Sequence, residues 1–170
     1  MIATSWHIAA LQADQAEALG ALARHIWQGH YPGIISQAQI DYMLDQRYGA
    51  ALIRQQLGQS GNWWKVAQND AGMIGFTHYF LDSDPQRIKL DKIYVHPDWQ
   101  RCGVGAALLE QVESEARRQG RAILTLRTNR HNHIALAAYQ KYGFMVTAQV
   151  VTEIGAGFVM DDYVLEKVLD

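Results

Sequence analysis

The sequence predicts an α/β fold, a mixed sheet with helices on both faces. Three observations predict it. Apolar residues recur at helical spacing in some windows and in short extended runs in others. Turn signals rich in Gly, Pro, Asn and Asp separate these windows. The windows follow the order β-α-α-β-β-β-α-β-α-β-β, with an early hairpin and two closing strands.

Residues 6–11 read as a short first strand. Asp14 and Glu17 have the spacing of a helix N-terminal cap pair, and Leu19, Leu22, Ala23, Ile26 and Trp27 continue at helical spacing. Gly29 to Gly33, with Pro32, should break that helix. Ser36 and Gln39 form a capping box. With Ile40, Met43, Leu44 and Tyr48 they predict one helix over residues 37–57. Residues 63–68 and 73–81 are strand-like and joined by Asn69-Asp70-Ala71-Gly72, which predicts an antiparallel hairpin. Residues 88–95 form another strand, ended by His96-Pro97. Val104, Ala107, Leu108, Val112 and Ala116 mark a helix that stops at Gly120. A short β run at 122–126, a helix over 132–142 closed by Gly143, and strands at 145–154 and 158–168 complete the chain.

The 170 residues, 49% of them hydrophobic, suit one domain over residues 1–170 with a single core. The net charge is −2. A sequence pI near 6.4 contrasts with the value above about 9 of a nucleic-acid-binding domain, so no nucleic-acid partner is expected. Cys102 is the only cysteine, which excludes an intramolecular disulfide and fits a reducing compartment. Residues 1–11 lack the pattern of a secretory leader, and no run has the apolar length of a membrane span. The expectation is a cytoplasmic protein with no membrane partner.

The strongest chemical signal lies where the strand ending at Val95 passes through a short loop into the helix at Val104. The first N–H groups of a helix lack internal partners and sit at the positive end of its dipole. Such a terminus attracts phosphate. Gly103 and Gly105 would let an anion approach the backbone closely. The dinucleotide fingerprint requires a third glycine where Leu108 stands and an acid about 20 residues on, where the chain has Ala122 to Thr125. The Gly-Lys-Ser/Thr of a P-loop is also absent. The glycines alone favour a simple tight strand-to-helix turn over a phosphate site.

Residues 64–167 resemble the GNAT family of N-acetyltransferases. The family's acetyl-CoA loop, Gln/Arg-x-x-Gly-x-Gly/Ala, is matched by Gln100-Arg101-Cys102-Gly103-Val104-Gly105, after the strand Leu90-Asp91-Lys92-Ile93-Tyr94-Val95. A second motif is matched by Asn132, Ala135, Tyr139, Gly143 and Phe144, in the expected order. The resemblance implies a mostly antiparallel central sheet and acetyl-CoA as co-substrate, with no metal. It implies that Ile93, Tyr94 and Val95 pair with the pantetheine arm like an added strand. It further implies that the loop from Gln100 through Arg101, Cys102, Gly103, Val104 and Gly105 to Ala106 holds the pyrophosphate, and that Asn132 contacts the pantetheine. Cys102 departs from a position that is often Lys or Arg, and Arg101 is the neighbouring charge.

By the same resemblance, acetyl passes directly from thioester to amine. Tyr139 matches the general-acid position, where it would protonate the departing thiolate; a ring that merely packs is the alternative. A backbone N–H near Tyr94 or Val95 is the candidate oxyanion donor. Asp91 is the first candidate base, sharing a strand face with Ile93 and Val95 by alternation, with a surface salt bridge or an N-cap contact as its alternative role. His78 on the preceding strand is the second, and a water chain the third. Tyr31 and His78 are candidates to line the acceptor side. The segment from Gly155 to Tyr163 resembles a branch that includes polyamine and diamine acetyltransferases, and Asp161 and Asp162 there could attract a cationic amine, with a charged hairpin end as the alternative. The acceptor expected is a small amine or polyamine. A protein N-terminus or lysine, and a non-catalytic CoA-binding sensor, are the alternatives. The resemblance also admits a homodimer through the final strands. Cys102 lacks an implied His partner for nucleophilic work. His131 and His133 do not complete a metal site and read as surface residues. Trp63 and Trp64 read as packing residues.

Overall fold

The computed structural model describes residues 5–170, so the leader reading of the N-terminus lies partly outside it. The fold class is the expected one: α/β, with seven mostly antiparallel strands and five α-helices among the described residues. None of those helices is long and apolar enough to cross a membrane. The chain forms two compact units, one running to Phe80 and resuming over Leu90–Ser114, the other comprising Leu81–Lys89 and Glu115–Asp170.

The first unit contains β1 (His7–Ala10), α1 (Ala16–His30), α2 (Gln37–Arg47), α3 (Ala50–Leu57), β2 (Asn62–Asn69), all but the last residue of β3 (Gly72–Leu81), the part of β4 (Arg87–Val95) from Leu90 onward, and α4 (Val104–Arg118) as far as Ser114. Its strands lie in the order β1-β2-β3-β4, with β2 antiparallel to both β1 and β3. Asn69 accepts from the N–H groups of Ala71 and Gly72 through its side chain and so closes the β2–β3 turn. α1 buries Ala16, Leu19, Ala23, Ile26 and Trp27, which is the apolar stripe of an amphipathic helix.

Two local expectations are corrected. Asp14 and Glu17 do not cap α1. Residues Ala13–Gln15 form a 3-10 turn that Gln12 and Gln15 cap reciprocally, and the Glu17 carboxylate is taken by Arg54 of α3 at 2.6 Å. The single helix over 37–57 is two helices. Ser36 caps α2 as expected, accepting from the Gln39 N–H at 3.2 Å, but the path breaks at Tyr48, and Gly49 is extended at the start of α3. At the break the Tyr48 carbonyl packs against α1, so close to Gly20 that a Cβ there would meet it at 3.1 Å.

A second close approach fixes the start of α4. A Cβ on Gly75 of β3 would stand 3.0 Å from the Tyr94 carbonyl and 3.3 Å from both Val104 and Leu108. α4 therefore seats directly on the sheet, with Ala67, Ile74, Val104 and Leu108 as its core and Ile93, Val95 and Trp99 packed around them. Overpacking a filled site costs about 1–3 kcal/mol. Gly75→Ala should lower the unfolding free energy by about that amount, read from urea denaturation; an unchanged midpoint would contradict the packing described.

The second unit contains β5 (Ile123–Asn129), α5 (His133–Lys141), β6 (Met145–Gly155) and β7 (Phe158–Val168), with strands in the antiparallel order β5-β7-β6. Gly155 and Gly157 flank Ala156 in the β6–β7 turn, all three with positive φ, which suits a right-twisted hairpin. Arg87 ties Glu166 of β7 at 2.6 Å and also pairs with Asp84. Arg121 caps the carbonyls of Asp82, Asp84 and Arg87.

Candidate active site

The loop between β4 and α4 begins where the His96 N–H donates to the Ile74 carbonyl at 2.8 Å. Residues Pro97–Trp99 make one 3-10 turn, and Gln100 is extended. Arg101 (φ 61) and Gly103 (φ 82) then adopt left-handed backbone, which turns the chain sharply into α4. The helix opens with the Ala107 N–H on the Gly103 carbonyl at 3.1 Å. Arg101, Cys102 and Gly103 are exposed, while Val104 is buried and anchors the turn.

Packing does not explain Gly105. A Cβ there would make only an ordinary contact, 3.8 Å from Val95 Cγ2, and one at Gly103 would meet nothing within 4 Å. The protein thus leaves space beside the first turn of α4, where N–H groups lack intrahelical acceptors. These features fit a phosphate or pyrophosphate. The Cys102 thiol lies 3.5 Å from the Gln100 carbonyl.

β4 also carries a cluster of charges. Asp91 Oδ1 accepts from Arg47 Nη2 at 3.0 Å, while Oδ2 meets His78 Nδ1 at 2.9 Å and the Lys92 ammonium. Strict alternation would put Asp91 with Ile93 and Val95. Those two pack against the α4 core, whereas the Asp91 carboxylate turns to the cations. Burial alone would raise its pKa, but the Lys92 charge, the His78 hydrogen bond and the Arg47 charge together hold it well below the usual carboxylate range. An efficient general base has a pKa near the working pH. Asp91 is therefore poorly matched to the base role that the sequence suggested.

His78 does not reach solvent. It is 1% exposed, stacks on Trp64, and engages Asp91 through Nδ1 and Asn62 through Nε2 at 2.6 Å. Burial lowers its pKa against the opposing pull of Asp91, so the ring is neutral near pH 7. As an acceptor-lining residue it is thus displaced to a supporting position. Tyr31 is drawn to the strand as well: its hydroxyl lies 2.7 Å from that of Tyr94. Trp27 and Phe76 surround the Tyr94 ring. Burial, followed by the nearby Tyr31 and Tyr48 phenols, pushes Tyr94 well above the ordinary phenol value, so its hydroxyl stays protonated.

In the second unit, Asn132 stands at the start of α5, 3% exposed. Its carbonyl accepts from Leu136, and its side-chain amide donates to Thr128 Oγ1 at 3.5 Å. Tyr139 lies one face along, half-buried, its ring edge-on to Phe144 at 5.6 Å. Asp161 is not an open carboxylate. Arg130 Nε pairs with it at 2.6 Å and Gln149 donates to it at 3.4 Å. His131 and His133 are exposed, as expected of surface residues.

Arg47 and Asn62 escaped the sequence reading. Each reaches the cluster from a different element, and no local pattern marks a residue at a helix end or strand start as a partner of a distant carboxylate.

A strand that ends in a glycine turn and an open helix start suits a phosphate-bearing ligand. The sequence model of the acetyltransferase (GNAT) family matches residues 22–144. The chain belongs to that family and is an N-acetyltransferase. It is similar to the spermidine N(1)-acetyltransferase of Thermoplasma acidophilum, 24% identical over 161 residues that cover 92% of this chain and 96% of that protein. The ribosomal protein bS18-alanine N-acetyltransferase of Escherichia coli is 44% identical over 55 residues, 32% of this chain and 37% of that protein. Among solved structures, PaiA N-acetyltransferase from Thermoplasma acidophilum in complex with coenzyme A shares the fold, with a TM-score of 0.83, 24% identity, and coverage of 97% of this chain and 99% of that one.

Proposed function

We propose that this protein transfers acetyl from acetyl-CoA directly to the primary amine of a small molecule. The observation that carries this reading is the loop: Gly103, left-handed and with open space at its Cβ position, leads into the first turn of α4, whose N–H groups lack intrahelical acceptors. Residues 101–106 hold the pyrophosphate, with Arg101 as the nearby charge in place of the one that Cys102 lacks. Ile93, Tyr94 and Val95 pair with the pantetheine arm, and Asn132 contacts it. When bound, acetyl-CoA supplies an activated thioester.

The chain's own groups then have three tasks. A backbone N–H at Tyr94 or Val95 stabilises the oxyanion. Tyr139 delivers its proton to the departing thiolate; a thiol with a pKa near 8.5 leaves readily, so this help is modest. The amine's proton passes to water. Asp91, held deprotonated by Lys92 and Arg47, positions the cluster instead of accepting it.

Thiol release from acetyl-CoA over a panel of polyamines, amino acids and N-terminal peptides tests the reading. Release with small amines, spermidine included in the panel, is the expected result. Acetylation of peptides alone would shift the acceptor class to proteins. Tight CoA binding with no release on any amine would replace the enzyme by a sensor.

A further inference from the structure

We infer that the acceptor carries a carboxylate beside its amine, and that the Arg47 guanidinium recognises it. The inference rests on the acetyl-transfer reading above and narrows its acceptor.

Charge around β4 is the reason. Two cations, Arg47 and Lys92, share the Asp91 carboxylate, and both of its oxygens are engaged. The third neighbour, His78, is neutral. The cluster therefore keeps a surplus positive charge. Lys92 cannot present it outward: the residue is 4% exposed and its ammonium lies over the Tyr48 and Trp64 rings at 5.3 and 5.2 Å. Arg47 can. Its side chain is 26% exposed, and its hydrogen bond within the described residues is the one Nη2–H on Asp91. A guanidinium has five N–H donors in a planar fork, so the rest of the fork is open to an outside acceptor.

Asp91, the partner of Arg47, stands three residues before Tyr94 on β4. Tyr94 sits on the strand proposed to hold the acyl group. A guanidinium with open donors suits a carboxylate, which it binds through two parallel hydrogen bonds. A polyamine would bring a second ammonium toward the Arg47 guanidinium. The carboxylate offered for that ammonium, Asp161, is already paired with Arg130. The position of Arg47 at the C-terminal end of α2 suits its charge but leaves the open fork unexplained.

The test compares free α-amino acids with their carboxamides and with spermidine, using purified protein and thiol release from acetyl-CoA. Hydrogen bonds to a charged group are the stronger kind, so acids should exceed their amides in kcat/KM by about 10- to 100-fold. Arg47→Gln should collapse that ratio toward one by raising KM for the acid, with KM for acetyl-CoA unchanged. Arg47→Lys should restore part of it. Wild-type protein that acetylates amides or spermidine as well as acids overturns the inference and leaves the transferase reading intact. So does a variant that keeps the wild-type ratio. Release with no amine overturns both. The wild-type comparison needs no variant, so a poorly folding Arg47→Gln does not rescue the inference.

Discussion

Asp91→Asn should cost about 3–5 kcal/mol of stability at pH 7, the usual loss when one partner of a largely buried ion pair is removed. Arg47 and Lys92 would then face each other without the carboxylate that holds them. The loss should depend on pH with a definite sign. An unfolded aspartate titrates near 3.9, and native Asp91 lies well below that. Between the two values the unfolded chain binds the additional proton, so stability rises with pH there. The Asp91 contribution is complete above the unfolded value and disappears as pH falls through the native one. Urea midpoints of wild type and variant should therefore differ widely at pH 7 and converge as the solution is acidified toward pH 2. Equal midpoints at pH 7 would contradict the cluster described.

Tyr139→Phe should lower kcat on the order of 10²-fold, the scale of one general acid. The ring keeps its edge-on contact with Phe144, so the thermal midpoint and KM for acetyl-CoA should stay near the wild-type values. Steady-state rates with an acetylated amine check this. A variant with wild-type kcat across the pH range would remove the acid role and leave Tyr139 as a packing residue.

The fold was legible because its signals are local. Helical and extended runs, the Asn69 turn and the Ser36 cap are each written within a few residues. The pieces that were misread depend on contacts between distant segments. At the break after Arg47, the Tyr48 carbonyl packs against Gly20 on another helix. Glu17 looks like a cap residue until Arg54 takes its carboxylate. The same division holds at the site. The loop at residues 100–105 is contiguous and could be recognised. The cluster at Asp91 joins α2, β2, β3 and β4, and alternation along one strand assigned its carboxylate to the wrong set of neighbours.

The central claim is that the first turn of α4 receives the pyrophosphate of acetyl-CoA. Ala106→Glu tests it most directly. Ala106 is exposed and third in α4, where a glutamate favours the helix by complementing its dipole. The same carboxylate would occupy the anion site and repel a second anion. Calorimetric titration should show CoA affinity reduced at least about tenfold by this like-charge contact, with the thermal midpoint unchanged or raised and weak pantetheine binding preserved. CoA affinity equal to that of the wild type would contradict the assignment of the loop.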